Sequence, residues 1–261
     1  MTARISLIPE KARGHRPRLQ FAVPKCPTQE MFMPDREHTS KHYEQQLRDL
    51  KDKLLLMSHK AEQMISDSIR SLVERRPSLA AEVIARDDEI DKLEIQVDDL
   101  CYETLALEQP VARDLRFIAT AMKIVKDIER IGDIAVNIAE RSMELIQEPE
   151  LKRLVDLPMM ADAAQKILKE SLDAFVNSDA DLAERVIVND NVLDDLYEQI
   201  FRELLTYMLE DPRAISRAIK LIFIGKALER VGDHSANIAE MVVFLVKGQD
   251  IRHGTRLDRG R

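Results

Sequence analysis

The stretch DIERIGDIAVNIAE, residues 127–140, returns one hundred positions later as ALERVGDHSANIAE, residues 227–240. Eight of the fourteen positions are identical in the two copies, and most of these are polar residues or glycine. The identical residues are Glu129/Glu229, Arg130/Arg230, Gly132/Gly232, Asp133/Asp233, Asn137/Asn237, Ile138/Ile238, Ala139/Ala239 and Glu140/Glu240. A hydrophobic pattern alone would not require the same polar residues twice. The repeat therefore predicts a site that occurs once in each half of the chain.

The helical phase of the stretch places acidic residues beside apolar ones. At about 100° per residue, Ile118, Val125 and Val136 lie on one face of a helix. Glu129 and Asp133 fall on the same face. Because a charge removed from water needs a partner or must be neutralised, we expect each copy to hold a compensating group.

The composition indicates an all-α protein. Of 261 residues, 45% are hydrophobic, and the chain contains seven Gly, ten Pro and no Trp. Leu, Ile, Ala, Glu, Lys and Arg recur with a period of about 3.6 residues, which leaves little sequence for a sheet. This length allows one large core or two small ones, and the internal repeat favours two.

Prolines and polar breaks divide the chain into two matching sets of three helices. The helices are predicted at about 41–74, 79–108, 111–146, 159–176, 180–210 and 213–246. The segments predicted are a disordered, basic, proline-rich leader at 1–37, a first three-helix bundle at 38–148, a linker at 149–158, a second three-helix bundle at 159–247 and a polar tail at 248–261. Met31 and Met33 near the end of the leader make its start site doubtful.

Charge and cysteine usage narrow the functional classes. A net charge of −8 and a pI near 5.4 argue against a broad nucleic-acid surface, and no glycine-rich phosphate loop occurs in the body of the chain. Cys26 and Cys101 are interpreted as two reduced thiols. No secretory signal and no apolar run of about 18 residues is found, so we expect a cytoplasmic protein without a membrane span.

Each half contains two acidic pairs spaced i, i+4. They are Asp87/Asp91 with Glu129/Asp133, and Asp190/Asp194 with Glu229/Asp233. Such residues are neighbours on a helix, where like charges repel. Two pairs on adjacent helices would form an oxygen-rich site suited to iron, manganese or magnesium. Zinc is less favoured, because no Cys lies within the motifs and His234 is their only histidine. His234 is either a surface residue or a ligand.

The alternative is that interhelical salt bridges neutralise the glutamates. The candidate cations lie within one turn of them: Lys126, Arg130, Lys226 and Arg230. For a single pair this explanation would suffice, but four pairs at corresponding places favour metal. Asn137 and Asn237 either orient the carboxylates or form hydrogen bonds between helices.

These motifs resemble the PhoU family of phosphate-transport regulators. The similarity runs from about residue 39 to residue 253 and includes KHYEQQLRDLKDKLLLM at 41–57, both D-x-x-x-D pairs, ERIGD…NIAE, ERVGDH…NIAE, TYMLEDPRAI at 206–215 and VKGQDIRH at 246–253. Paired ERxGD motifs at this spacing are highly specific. The basic leader departs from the family pattern, so nothing is carried over to it.

The resemblance implies two three-helix bundles related by a pseudo-twofold, with metal ions or clusters on the E(D)-x-x-x-D motifs. It also implies a cytoplasmic, non-enzymatic protein that restrains the phosphate ABC transporter and its sensor kinase when phosphate is plentiful. The expected partners are the transporter's ATPase subunit and a phosphate-sensing histidine kinase. We also expect a homodimer, no nucleic-acid partner and membrane association only through partners.

The function implied by the resemblance is thus a metal-binding adaptor between the phosphate ABC transporter and its sensor kinase, and two other functions compete with it. The first is a metal-dependent enzyme that uses the carboxylates as di-iron bundle proteins do, but such bundles usually add Glu-x-x-His motifs, which are missing here. The second is a helical scaffold without metal.

Overall fold

The computed structural model describes residues 41–248, which are helical almost throughout and contain no strand. The helices are α1 (Lys41–Val73), α2 (Pro77–Glu108), α3 (Ala112–Ile146), α4 (Asp156–Asn177), α5 (Ala180–Asn189), α6 (Asn191–Glu210) and α7 (Ile215–Lys247). A 3₁₀ turn, Pro212–Ala214, precedes α7. The all-α class predicted from composition and periodicity is confirmed.

Local residue chemistry fixes most of the helix ends. Pro77 begins α2, where the missing N–H removes no helical hydrogen bond. Gln109 ends α2 with a left-handed φ of 46°. The side chain of Asp179 caps α5 by accepting a hydrogen bond from the Leu182 N–H at 2.9 Å. Gly248 closes α7 at φ 67°, a conformation that glycine adopts without steric cost.

The fifth predicted helix is two helices, so the prediction of one continuous helix over 180–210 is wrong. The chain breaks between α5 and α6 at Asp190, although the corresponding part of α2 is continuous. Asn189, Asp190 and Asn191 favour caps and turns, because their side chains compete for backbone hydrogen bonds. The Leu193 N–H donates to the Asp190 carbonyl at 2.9 Å, a tighter i+3 contact than the α-helix uses.

The two sets of helices correspond to the two predicted bundles. Helices α1, α2 and α3 pack on one another, and α4 packs on α5, α6 and α7. Helices α3 and α7 also contact each other along their length and run antiparallel, since Arg217 near the start of α7 donates to the Pro149 carbonyl beyond the end of α3 at 3.0 Å. The two copies of the repeated stretch therefore lie side by side.

The expectation of two separate cores is wrong. The buried apolar residues form one continuous cluster, because α3 packs on α7 and α1 packs on α4. Phe117 of α3 stacks on Phe175 of α4 with ring centroids 4.9 Å apart, which joins the two halves directly. Duplication has produced two similar bundles that share one hydrophobic interior.

The predicted leader (1–37) and all of the predicted tail except Gly248 lie outside the described residues, as does Cys26. No helix within residues 41–248 has the length and apolar character needed to cross a bilayer.

Candidate metal site on the repeated helices

The acidic residues of the repeat lie at the edge of the buried face of α3. Ile124, Ile128 and Ile131 are fully buried and mark the centre of that face, whereas Glu129 and Asp133 are half-buried. The prediction that these carboxylates share the apolar face therefore needs a correction: they lie at its margin. Because α1, α2 and α7 all cover α3, its buried face is centred on these isoleucines, and the carboxylates face α2 from its margin.

In the first half, carboxylates from α2 and α3 converge. One oxygen each from Asp91, Glu94 and Glu129 lie within 4.8 Å of one another. Asp87 and Asp133 are close enough for their charges to interact. The structure thus brings together all four acidic residues predicted for this half, and it adds Glu94.

Burial and mutual repulsion make this cluster unfavourable for negative charge. Burial raises the pKa of Asp87, and the charges of Asp91 and Asp133 raise it further. Burial also raises the pKa of Glu129, with the Asp133 charge as the next contribution. Groups shifted in this way by burial and by like charges are typical of functional sites.

Glu94 could not be predicted from the internal repeat, because it has no acidic counterpart in the second half. Glu94 lies three residues after Asp91 on the same face of α2, and Asp98 follows one turn later. The helical row Asp87, Asp91, Glu94 is visible in the sequence at i, i+4 and i+7. Tyr197 occupies the corresponding position of the second half, so Glu94 is not among the acidic residues that the two copies share.

The second site is more deeply buried and less acidic. Asp190 is only 4% exposed and lies against Gly232, where an added Cβ would come within 2.5 Å of the Asp190 Oδ1. Glu229 is also largely buried, and Asp233 is half-buried, whereas Asp194 is exposed. Within the part of the second half that the structure describes, no three carboxylates converge as they do in the first.

Cations lie around both clusters, as the salt-bridge alternative predicts. Arg130, 61% exposed, contacts Asp133 at 2.9 Å and Glu129 at 3.5 Å. Lys126 pairs with Glu94 and Asp98 of α2. Such exposed pairs contribute little to stability, because solvent screens them.

The second half has a different set of cation contacts. Lys226 pairs with Glu229 on its own helix and lies 5.3 Å from the centroid of the Tyr197 ring. The Lys226 ammonium contacts the buried Glu229 Oε2, although the pair is not aligned as a hydrogen bond. Arg230 is exposed and forms no salt bridge with a described residue.

Asp87, like Asp91, is left uncompensated by the salt bridges within residues 41–248. It forms no salt bridge with any residue in the range 41–248, and the charges acting on it are those of Asp91, Asp133 and Asp88. All three are negative. A cation bound between α2 and α3 would relieve this repulsion, and the carboxylate oxygens are ligands that magnesium, manganese and iron accept. The residues present therefore fit a metal in the first half.

The remaining predicted residues have other contacts. His234 Nδ1 lies 2.8 Å from the Asp127 carboxylate on α3, so its ring bridges the two halves and is not directed at the carboxylate cluster. Asn137 donates to the backbone carbonyl of Asp133 at 2.8 Å and does not bond the carboxylates.

Comparison with known proteins identifies relatives along most of the chain. The family model described as "PhoU domain" matches residues 54–142 and again 157–242. A protein of Pseudomonas aeruginosa named "Phosphate-specific transport system accessory protein PhoU homolog" is 42% identical over 217 residues, which cover 83% of this chain and 90% of that protein. "Phosphate-specific transport system accessory protein PhoU" of Escherichia coli is 34% identical over 225 residues, covering 85% and 93%.

Solved structures show the same fold. The crystal structure of PhoU from Pseudomonas aeruginosa superposes with a TM-score of 0.76 at 42% identity, covering 79% of this chain and 100% of that one. The phosphate transport system regulatory protein PhoU from Streptococcus pneumoniae gives a TM-score of 0.73 at 26% identity, covering 80% and 98%. The resemblance inferred from the sequence motifs is confirmed.

Proposed function

The chain belongs to the PhoU family, and on that premise we propose that it is a negative regulator of phosphate uptake and of the phosphate-starvation response. The observation that carries the proposal is the family match in both halves, which covers both copies of the repeated motif. In this proposal the protein acts in the cytoplasm as an adaptor when phosphate is plentiful.

The proposed partners are the ATPase subunit of a phosphate ABC transporter and a phosphate-sensing histidine kinase. Relatives carry the words "transport system accessory protein" in their names, which supports a protein that acts on a transporter. The exposed Arg230, beside the second site, is a candidate for contact with such a partner. We also propose that the protein works as a homodimer.

We further propose that each half holds divalent or trivalent metal, with iron, manganese or magnesium preferred to zinc. The ligands would be Asp87, Asp91, Glu94, Glu129 and Asp133 in the first half, and Asp190, Asp194, Glu229 and Asp233 in the second. When bound, the metal supplies positive charge between helices that otherwise repel. The protein's own residues then fix the angle between α2 and α3 and the angle between α6 and α7. These angles shape the surface that a partner contacts.

An enzymatic role has less support. The one histidine of the motifs, His234, is held by Asp127 at 2.8 Å on the opposite side of the helix pair. No nucleophile or general base accompanies the carboxylates in a recognisable arrangement within residues 41–248.

The test is deletion of the gene followed by complementation. Deletion is expected to raise phosphate uptake and expression of phosphate-responsive genes in phosphate-rich medium, and the wild-type gene is expected to restore repression. A deletion strain that represses normally would contradict the proposal.

A charge reversal tests the proposed partner surface. Arg230→Glu, which breaks no salt bridge within residues 41–248, should derepress the response about tenfold or more, since lost interfacial charge pairs cost several kcal/mol. The matched control is Arg48→Glu on α1, an exposed arginine away from the repeat. Truncation before Met33 is expected to change little. Full repression by a folded Arg230→Glu protein would place the partner surface elsewhere.

A further inference from the structure

Lys226 contacts the candidate site of the second half in a way that its counterpart in the first half does not. In the first half, Lys126 reaches across to α2, where it pairs with Glu94 and lies 3.2 Å from Asp98. In the second half, Lys226 stays on its own helix and contacts the Oε2 of Glu229. The two lysines occupy equivalent positions of the repeat. Their neighbours must therefore determine where each ammonium group lies.

Two aromatic residues of α6 replace the two acids that hold Lys126. Tyr197 stands at the position of Glu94, and Phe201 stands at the position of Asp98. The two rings are tilted against each other with their centroids 6.3 Å apart. Because α6 offers no carboxylate at these two positions, the lysine of the second half pairs with an acid of α7 instead.

The Tyr197 ring also fixes the direction of Lys226. The ring packs against Gly225, where an added Cβ would lie 3.3 Å from the Tyr197 Cδ2. Val125, a fully buried side chain, occupies the corresponding position of α3, so the first half does not provide the same space. The Lys226 ammonium lies 5.3 Å from the ring centroid, which is within the range of a cation–π contact. The ring and Glu229 together hold the ammonium group at the second site.

The oxygen that Lys226 contacts belongs to a proposed metal ligand. Glu229 Oε2 is buried from solvent and has no hydrogen-bond partner within residues 41–248. A buried carboxylate oxygen without a hydrogen bond is unfavourable, so a cation beside it is stabilising. The Lys226 ammonium supplies this positive charge. A metal ion bound by the same carboxylate would be repelled by the ammonium group.

The first half offers a metal ion a more favourable set of ligands. Oxygens of Asp91, Glu94 and Glu129 lie within 4.8 Å of one another, and no such convergence occurs among the described residues of the second half. Each half has cations that contact its site, so the number and the convergence of the carboxylates decide between them. Five acids surround the first site and four surround the second.

We propose that Lys226 is a tethered competitor for metal at the second site, so that this site fills only after the first. The inference rests on the metal binding of the proposed function, and it adds an order of filling and the residue that sets this order. A metal ion entering the second site has to displace the Lys226 ammonium from Glu229. This displacement lowers the metal affinity of the second site.

The experiment is a titration of the full chain with Mn²⁺ after removal of bound metal, with free Mn²⁺ measured by electron paramagnetic resonance. The wild-type protein is expected to bind Mn²⁺ in two phases. Glu129→Ala/Asp133→Ala should lose the tighter phase, and Glu229→Ala/Asp233→Ala should lose the weaker phase. Lys226→Met keeps the length of the side chain without its charge. This variant should strengthen the weaker phase about tenfold, because a like charge is removed from the site.

The matched control is Lys247→Met, which changes a lysine on the same helix. Lys247 pairs with Glu184, a residue of neither site, so this variant should leave both phases unchanged. If circular dichroism shows that Lys226→Met is unfolded, Lys226→Gln replaces it. An unchanged weaker phase in the folded Lys226 variant, or the same strengthening by Lys247→Met, would overturn the proposal.

The titration also separates this inference from the proposals on which it rests. Two sites of equal affinity in the wild type would overturn the order of filling and leave metal binding intact. A wild type that binds no Mn²⁺ at either site would contradict metal binding itself and this inference with it. The phosphate response of the deletion strain is measured separately, so failure of the regulatory proposal is distinguishable.

Discussion

At the residue scale, the first site is defined by Asp87, a carboxylate surrounded by other carboxylates. Burial and the charges of Asp91 and Asp133 raise its pKa. An acid with a raised pKa in the folded state binds its proton more tightly than in the unfolded state. The free energy of unfolding therefore falls as pH rises from the ordinary Asp range through the raised pKa.

Removing this charge should stabilise the metal-free protein. Asp87→Asn is expected to raise the free energy of unfolding at pH 7 by about 0.5 kcal/mol, because like-charge pairs one turn apart cost about 0.2–0.5 kcal/mol each. The gain should disappear near pH 3, where wild-type Asp87 is already protonated. Urea unfolding at both pH values with chelator present measures it. A less stable Asp87→Asn protein at pH 7 would show that Asp87 has a favourable contact.

Cys101 supplies a second test at this scale. Burial, followed by the charge of Asp98, raises the pKa of this thiol to about 12, and its side chain is fully buried. At pH 8 the thiol is therefore protonated and shielded, and the thiolate is the reactive form. In a Cys26→Ser background, Ellman's reagent should label Cys101 only after unfolding in urea. Rapid labelling of the native protein would contradict the buried position.

Individual site residues were predictable to the extent that they are repeated. Glu129 and Asp133 were found because Glu229 and Asp233 match them. Glu94 was missed because Tyr197 replaces it, and the contact of His234 with Asp127 required knowledge of how α3 meets α7. The sequence pattern along one helix does not show which residues of a neighbouring helix pack against it.

At the scale of elements, the two repeated glycines have different neighbours. A Cβ at Gly132 would lie 3.3 Å from the Ile90 Cγ2 and 3.7 Å from the Asp87 Oδ1. A Cβ at Gly232 would lie 2.5 Å from both the Asp190 Oδ1 and the Leu193 Cδ1. Helix α7 therefore approaches the α5–α6 break more closely than α3 approaches α2.

The same substitution should consequently have different effects. Gly232→Ala is expected to destabilise the protein by about 1–3 kcal/mol through overpacking. Gly132→Ala should be nearly neutral, because the gain of about 1 kcal/mol in helix propensity offsets a tight contact. Thermal unfolding of the two variants measures the difference. Equal losses would show that the close approach at Gly232 does not distinguish the halves.

Helix boundaries could be predicted from the local sequence where a proline or a capping residue was present. Pro77, Pro110 and Pro212 marked breaks that the structure contains. The break at Asp190 was not predicted, because Leu182 to Asp194 matches Leu79 to Asp91 in sequence while only the second copy is interrupted. The interruption accompanies burial of Asp190 against Gly232, a tertiary contact that no local pattern reveals.

At the scale of the whole molecule, duplication predicted the fold class but not the joining of the halves. The continuous core depends on α3 packing against α7 and on contacts such as the Phe117–Phe175 stack. These contacts place the two copies of the motif side by side, with one facing α2 and the other facing α6.

The central claim is that both copies of the motif hold metal, and elemental analysis tests it most directly. The full chain is purified without chelator and without an affinity-tag metal, and its metal-to-protein ratio is compared with those of two double variants. We predict metal in the wild type, loss of the first-half share in Glu129→Ala/Asp133→Ala, and loss of the second-half share in Glu229→Ala/Asp233→Ala. A metal-free wild type, or an unchanged ratio in both folded variants, would contradict the account. The salt bridges of Arg130 with Glu129 and Asp133, and of Lys226 with Glu229, would then stand as compensation among the described residues.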